Sequence, residues 1–336
     1  TRFSHKNLPL LRIDKCGRVC YNERKKGCKQ MDHCTIRGMN ASRIVMGCMR
    51  IADKTFQELE TLIVQAVQSG VNMFDHAAYY AKGDCERIFG VAVKDIGLER
   101  KEYIIQTKCG ISRGERGNWF DFSREHIVGS VENSLKRLNT EYIDVLLLHR
   151  PDTLVEADEV GEAFDKLKAE GKVRAFGVSN FSAMQMEYLR ANGIEIVANQ
   201  MQFSLGHTAL VDTGFNVNMY KDESTTRGGD ALEYARIHNI ALQAWSPVQY
   251  GFFGGVFVGN EKFPELNAAL DALAQKYNAT PSAIAVAWIL RHPAFAQVIT
   301  GTTSPARKNE MCVAADIRIS REEWYDLYMA TGKRLP

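Results

Sequence analysis

The chain of 336 residues is 45% hydrophobic and 24% charged, the proportions of an ordinary globular protein. This excludes disorder over most of its length, a collagen-like fibre, a small disulfide scaffold and a membrane-spanning protein. The longest apolar run, Ala283–Leu290, falls far short of the ~18 residues that cross a bilayer. The net charge of +2 conceals a split, +7 over residues 1–40 and −5 over the remaining 296, so the body of the chain offers no basic surface for nucleic acid.

The basic segment comes first in the chain and stands apart in composition. Ten Lys or Arg share residues 1–40 with Cys16, Cys20, Cys28 and Cys34. The cysteine spacing lacks the close Cys-x₂-Cys pairs of structural zinc sites, so no metal is assigned. An import remnant fits its Arg and Lys content, but a solvated or packed extension is the preferred reading. Residues 1–35 are therefore read as a basic, Cys-containing extension and 36–336 as one domain. Cys48, Cys85, Cys109 and Cys312 are scattered through that domain, as isolated thiols are in a reducing compartment. With no apolar leader before Arg12, the expected location is the cytoplasm.

From Arg43 onward, short aliphatic runs alternate with amphipathic stretches. Strands are predicted at Arg43–Gly47, Val71–His76, Tyr103–Lys108, Tyr142–His149, Val173–Ser179, Ile194–Gln200, Ile240–Ser246 and Ala296–Thr300. Their lack of polar alternation is that of strands buried on both faces of a parallel sheet. Between them, Phe56, Leu59, Leu62, Ile63 and Val67 mark a helix stopped by Gly70, and Ser123 caps one that runs to Leu138. Val160–Leu167, Ser182–Ala191, Asp230–His238, Glu265–Tyr277 and Pro281–Arg291 follow the same pattern. Eight strands alternating with helices predict a (β/α)8 TIM barrel, in the α/β class. A doubly wound sheet, the competing architecture, would carry a Gly-rich turn after its first strand, and Met46-Gly47-Cys48-Met49-Arg50 is not one. Two irregular stretches, Gly110–Phe122 and Gly206–Gly229, follow strand ends, where barrel active sites lie.

Those strand ends carry ionisable groups. Asp75 closes the second strand with Tyr80 five residues on, Lys108 closes the third, and His149 the fourth. Singly, Asp75 and Lys108 make a structural ion pair and His149 a core histidine. Together they place an acid, a base and a buried cation at one barrel mouth, and a buried lysine needs a nearby carboxylate.

The stretch Asn72-Met73-Phe74-Asp75-His76-Ala77-Ala78-Tyr79-Tyr80, with Lys108, His149, Gly177-Val178-Ser179-Asn180 and Asn199-Gln200, resembles the aldo-keto reductase superfamily. The similarity runs in order from Arg43 to Trp324. Leu147-Leu148-His149-Arg150-Pro151-Asp152 and Ala244-Trp245-Ser246 are similar to a bacterial type of these reductases. The resemblance implies carbonyl reduction with NADP(H), acting on a small-molecule carbonyl or alcohol. Tyr80 would be the general acid, its phenolate stabilised by Lys108, which Asp75 holds, while His149 orients the carbonyl. His149 also matters for reaction type, because relatives that reduce steroid carbon–carbon double bonds carry Glu there. Ser179, Asn180 and Gln200 match the nicotinamide-binding positions, Trp245 the stacking aromatic and Ser246 a pyrophosphate contact. Thr302 and Arg307 match the 2′-phosphate site and Glu310 the adenine contact, although Gly301 and Met311 stand where many members have Lys and Asn. Met49, Tyr79, Trp119, Phe120, Phe122 and Phe203 are expected to line the substrate pocket. A redox-sensing regulatory subunit on the same barrel is the alternative function. A Schiff-base role for Lys108 would leave the other motifs unexplained.

Overall fold

The computed structural model describes residues 31–336, so Cys16, Cys20 and Cys28 of the N-terminal cluster lie outside the described residues. The first two strands, β1 (His33–Ile36) and β2 (Met39–Ser42), form an antiparallel hairpin that the sequence does not announce. Its two-residue turn, Arg37-Gly38, has φ of +48° and +77°, a mirror-image turn built without the Asn-Gly or Asp-Gly that usually signals one. Met31, just ahead of it, is buried in the main core, so packed structure begins five residues before the edge expected at residue 36.

All eight predicted barrel strands are present: β3 (Ile44–Gly47), β4 (Met73–Asp75), β5 (Ile104–Cys109), β8 (Ile143–Leu148), β9 (Val173–Ser179), β10 (Ala198–Gln202), β11 (Ala241–Trp245) and β12 (Phe295–Thr300). They pair in parallel in that order, and β12 returns to β3 with Val298 opposite Ile44, closing a barrel. Between β5 and β8, the stretch Gly110–Phe122 folds into a second hairpin, β6 (Ile111–Gly114) with β7 (Gly117–Phe120).

The outer helices are α1 (Phe56–Gln68), α2 (Asp84–Asp95), α3 (Arg124–Leu138), α4 (Ala157–Ala169), α5 (Ala183–Ala191), α6 (Ala209–Phe215), α7 (Ala231–Ile237), α8 (Pro264–Tyr277), α9 (Pro281–Arg291), α10 (Pro305–Cys312) and α11 (Arg321–Met329). Their starts follow local chemistry. Thr55 and Glu58 form a capping box on α1, Ser123 caps α3, and Pro281 opens α9 behind Thr280. The apolar run Ala283–Leu290 is the buried body of α9. Among the described residues, no helix is long and apolar enough to cross a membrane.

The barrel interior is layered. Towards the N-terminal end, Ile36 and Ala41 of the hairpin pack with Val45, Met73, Ile104 and Val145, which plugs that end with apolar side chains. Above this plug the filling turns polar. Gln243 exchanges hydrogen bonds with Gln106 (2.9 Å) and donates to Gln297 (2.8 Å), whose amide in turn reaches the Ser42 carbonyl at 2.8 Å. Buried amides are tolerated only when satisfied, and this chain of partners meets that condition. It also ends on Asp75.

Candidate active site

Strand register brings the four ionisable residues together. Asp75 sits opposite Gly47 on one side and Gln106 on the other. Beyond Asp75 the chain keeps bonding to β5, with the His76 amide donating to the Gln106 carbonyl (2.8 Å) and the Ala78 amide to the Lys108 carbonyl (3.0 Å). This zipper carries Tyr80 over the end of β5. Directly after Tyr80, Ala81 and Lys82 both have left-handed φ, +47° and +56°. Non-glycine residues in that region cost about 1–3 kcal/mol each, so surrounding contacts hold this turn.

Lys108 is buried, and its Nζ faces four oxygens: Asp75 Oδ1 (2.8 Å) and Oδ2 (2.7 Å), the His76 carbonyl (2.7 Å) and the Tyr80 hydroxyl (3.1 Å). Asp75 also accepts from Gln106 (2.7 Å) and Gln200 (2.9 Å). Burial disfavours the Lys108 ammonium, but Asp75 and Tyr80 outweigh it and hold the pKa above its ordinary value. An ammonium can only donate, so the Tyr80 oxygen accepts, and its own proton is left for the cleft. Burial pushes the Tyr80 phenol up and the pull of Lys108 only partly offsets that, so Tyr80 stays protonated at neutral pH.

The His149 ring lies 5.7 Å from the Tyr80 ring, nearly perpendicular to it. Burial, with Lys108 and Arg150 adding to it, holds His149 well below the usual imidazole range, so it is neutral. Its Nδ1 is buried without a partner among the described residues. The neighbouring His76 is a different kind of group. Both its nitrogens are buried and unpartnered, its ring packs edge-on against Phe89, and burial lowers its pKa to about 3.

These residues open into a cleft of about 940 Å³, at the upper end of small-molecule sites. Its walls run from Asp75, Tyr80 and His149, past Ser179, Asn180, Gln200, Trp245 and Ser246, to Thr302 and Arg307. The middle section is braced by its own hydrogen bonds. Asn180, at φ +63°, donates to Ser179 Oγ (2.7 Å) and accepts from Trp245 Nε1 (3.1 Å). Gln200 commits its amide nitrogen to Asp75 and Gln243, leaving its oxygen free to accept from a ligand. A flat indole, a free amide acceptor and, at the far end, the first turn of α10 suit an aromatic amide joined to an anion. The donor set therefore fits a nicotinamide dinucleotide.

Four expected residues lie elsewhere. Phe203 is fully buried and stacks on Phe295 (4.5 Å) and Trp288 (5.0 Å), which makes it core. Phe122 is buried against Phe181 and covers Gly110, where an added Cβ would meet its ring at 2.1 Å. Trp119, half exposed on β7, folds back over Gly114 of its own hairpin. Glu310 falls outside the stripe of α10 that faces the cleft, which runs through Arg307 and Met311 one turn apart. Met49, Tyr79 and Phe120 do line the cleft. The sequence reading assigned no role to Arg50, Arg113, Arg150, Phe252 and Phe253, which also line it. Arg150 carried a visible signal, because it directly follows His149 at a strand end.

Lys308 lies beneath the far end of the cleft. It is fully buried and donates to the Thr300 carbonyl and hydroxyl at 2.6 Å each, with no carboxylate in ion-pair range among the described residues. Burial lowers its pKa to about 8, against an unfolded value of about 10.4. Between those values the unfolded chain binds more protons, so stability rises with pH across that window. The melting temperature of the wild type relative to Lys308→Met is expected to climb from about pH 7.5 to about pH 10, reflecting roughly 1–3 kcal/mol of relieved burial penalty. Parallel thermal melts of the two proteins would read it, and a constant difference would mean that the ammonium is not under strain.

A model of the Aldo/keto reductase family matches residues 43–329. The chain is 33% identical to a 6-dehydroglucose reductase of Agrobacterium fabrum, over 88% of this chain and 97% of that protein. It is 32% identical to Oxidoreductase YdhF of Escherichia coli, over 88% and 95%. A putative voltage-gated potassium channel subunit beta of Schizosaccharomyces pombe matches at 30%, over 74% and 76%. Among solved structures, a thermostable aldo-keto reductase, Tm1743, in complex with the inhibitor epalrestat superposes with a TM-score of 0.72 over 89% of this chain and all of that one, at 24% identity. That likeness supports the fold.

Proposed function

The chain belongs to the Aldo/keto reductase family, a family of nicotinamide-dependent oxidoreductases, and from that premise we propose that it reduces an aldehyde or ketone to an alcohol with NADPH, using Tyr80 as general acid. The observation that carries the reading is the Tyr80 hydroxyl 3.1 Å from a buried Lys108 that Asp75 holds with both oxygens. Trp245, Gln200, Asn180 and Ser179 would hold a reduced nicotinamide, which when bound would supply a hydride for the carbonyl carbon. Neutral His149 donates a hydrogen bond to the carbonyl oxygen and orients it. As the C=O π pair moves onto oxygen, Tyr80 gives up its proton to that oxygen. The transfer runs from a phenol to a far more basic alkoxide, so a raised Tyr80 pKa does not prevent it. Lys108 stabilises the phenolate left behind until solvent reprotonates it.

NADPH rather than NADH is assigned on Arg307, whose guanidinium has no carboxylate partner among the described residues and faces the cleft beside Thr302. Arg307→Ala is expected to weaken NADPH by roughly 10- to 150-fold, the value of a charge-assisted contact, and to leave NADH nearly unchanged. Fluorescence titration of both cofactors checks this, and equal losses would remove Arg307 from the phosphate site.

A second reading, a redox-sensing regulatory subunit, draws on the channel-subunit relative. It would require cofactor binding without appreciable turnover. Among the described residues, the thiols are poor candidates for such sensing: burial raises the pKa of Cys34 and of Cys312 to about 11 and that of Cys109 to about 12, and it pushes Cys48 and Cys85 up as well. Five free, protonated thiols among the described residues also fit a reducing compartment, and the cytoplasm is the proposed location.

A further inference from the structure

Four arginines line the cleft, Arg50, Arg113, Arg150 and Arg307, against a single carboxylate, Asp75, which Lys108 already neutralises. Arg307 belongs to the α10 end. The other three come from the loop after β3, from β6 and from the second residue after β8, so they surround the Tyr80–His149 end. None of the three has an ion-pair partner among the described residues. Arg113 is committed to Tyr79, lying 4.6 Å over its ring and, by hydrogen bonding, pulling that phenol below its ordinary range. Arg150 is the informative one. It follows His149 directly, is half-buried, and lies against the faces of Trp245 (5.7 Å) and Phe252 (5.9 Å). Burial works against that charge, and a protonated Tyr80 supplies no negative charge to offset it. Ring faces offset only part of the cost of desolvating a guanidinium, so the position lacks an anion.

We propose that the substrate of this cleft is a carboxylated carbonyl compound, with Arg150 pairing its carboxylate while Tyr80 and His149 hold its carbonyl, and with Arg50 adding a second positive charge at the rim. One half-buried planar guanidinium matches one monoanionic carboxylate, which it can grip through two parallel N–H donors. The inference rests on the reductase reading and adds the substrate class to it.

The test compares 4-formylbenzoate with methyl 4-formylbenzoate, using NADPH as reductant. The ester withdraws electrons more strongly, so its aldehyde is intrinsically the easier to reduce, and a preference for the acid must come from the protein. Wild type is expected to show a kcat/KM ratio of acid to ester of about 10 or more, carried mainly by KM and shrinking as salt screens the contact. In Arg150→Met the ratio should fall towards one, with Arg150→Lys recovering part of it and Arg50→Gln producing a smaller drop. The NADPH dissociation constant of Arg150→Met should move much less than the ratio does. A wild-type ratio at or below one would overturn the proposal. So would an Arg150→Met loss shared equally by acid, ester and NADPH affinity, which would place the arginine on the cofactor. Wild type that reduces neither these nor other aldehydes would instead overturn the reductase reading, and this inference with it.

Discussion

Tyr80→Phe is expected to bind NADPH as the wild type does and to reduce aldehydes about 10²- to 10⁴-fold more slowly. The substitution removes one oxygen. The Tyr80 ring packs near His149, and a phenyl ring fills the same space, so the wall of the cleft survives. Lys108 loses one of its four oxygen neighbours but keeps Asp75 and the His76 carbonyl, so the ammonium remains satisfied. What disappears is the hydroxyl proton that the geometry leaves pointing into the cleft. Single-turnover kinetics at saturating NADPH isolate that step. Near wild-type turnover would show that another group, Tyr79 being the nearest candidate, supplies the proton.

Lys108→Met should damage both stability and rate. It leaves Asp75 buried with two amide donors, Gln106 and Gln200, and no cation. Removing one partner of a buried ion pair typically costs about 3–5 kcal/mol, and the two remaining donors place this case towards the lower end. Loss of the cation also removes what holds the Tyr80 phenol down, so its pKa should rise further and the reductive rate should fall. Denaturant melts and a pH–rate profile measure the two effects separately. Lost stability with an unaltered profile would make Lys108 purely structural, and an unchanged protein would mean that the pair contributes neither.

The barrel was legible because its signal is redundant, since eight aliphatic runs at regular spacing admit few other arrangements. The least accurate boundary was that of β10, which begins at Ala198 rather than Ile194. Ile194 and Ile196 are buried but lie in the connection entering the strand, and an apolar run cannot distinguish the two. Helix α2 escaped the periodicity reading because Glu86 interrupts its apolar face. In the structure that carboxylate is fully buried, paired with Arg137 at 2.7 Å and accepting from Thr107 at 2.6 Å, partners that are distant in sequence. The hairpin β6–β7 is largely exposed and has no alternating apolar face to reveal it. The four ionisable residues were readable because Asp75, Lys108 and His149 lie at strand ends, Tyr80 follows one by five residues, and strand ends share one barrel mouth. The aromatic wall was readable only in part. Phe203 follows a strand end as closely as Trp245 does, yet it turns outward to stack on Trp288 of α9, and sequence position does not encode that direction. The glutamine ladder that supports Asp75 was missed for the opposite reason, because isolated polar residues inside strands look like interruptions until their partners are seen.

The central claim is that this cleft transfers hydride from a nicotinamide to a carbonyl, and isotope transfer tests it most directly. The protein would be incubated with NADPH deuterated at both nicotinamide C4 positions and a panel of aldehydes that includes 4-formylbenzoate, and the products analysed by mass spectrometry and proton NMR. The account predicts one deuterium on the carbinol carbon of each alcohol formed, in step with NADPH consumed, and almost none with Tyr80→Phe over the same interval. Tight NADPH binding without labelled alcohol from any aldehyde, or alcohol formed without the label, would contradict it.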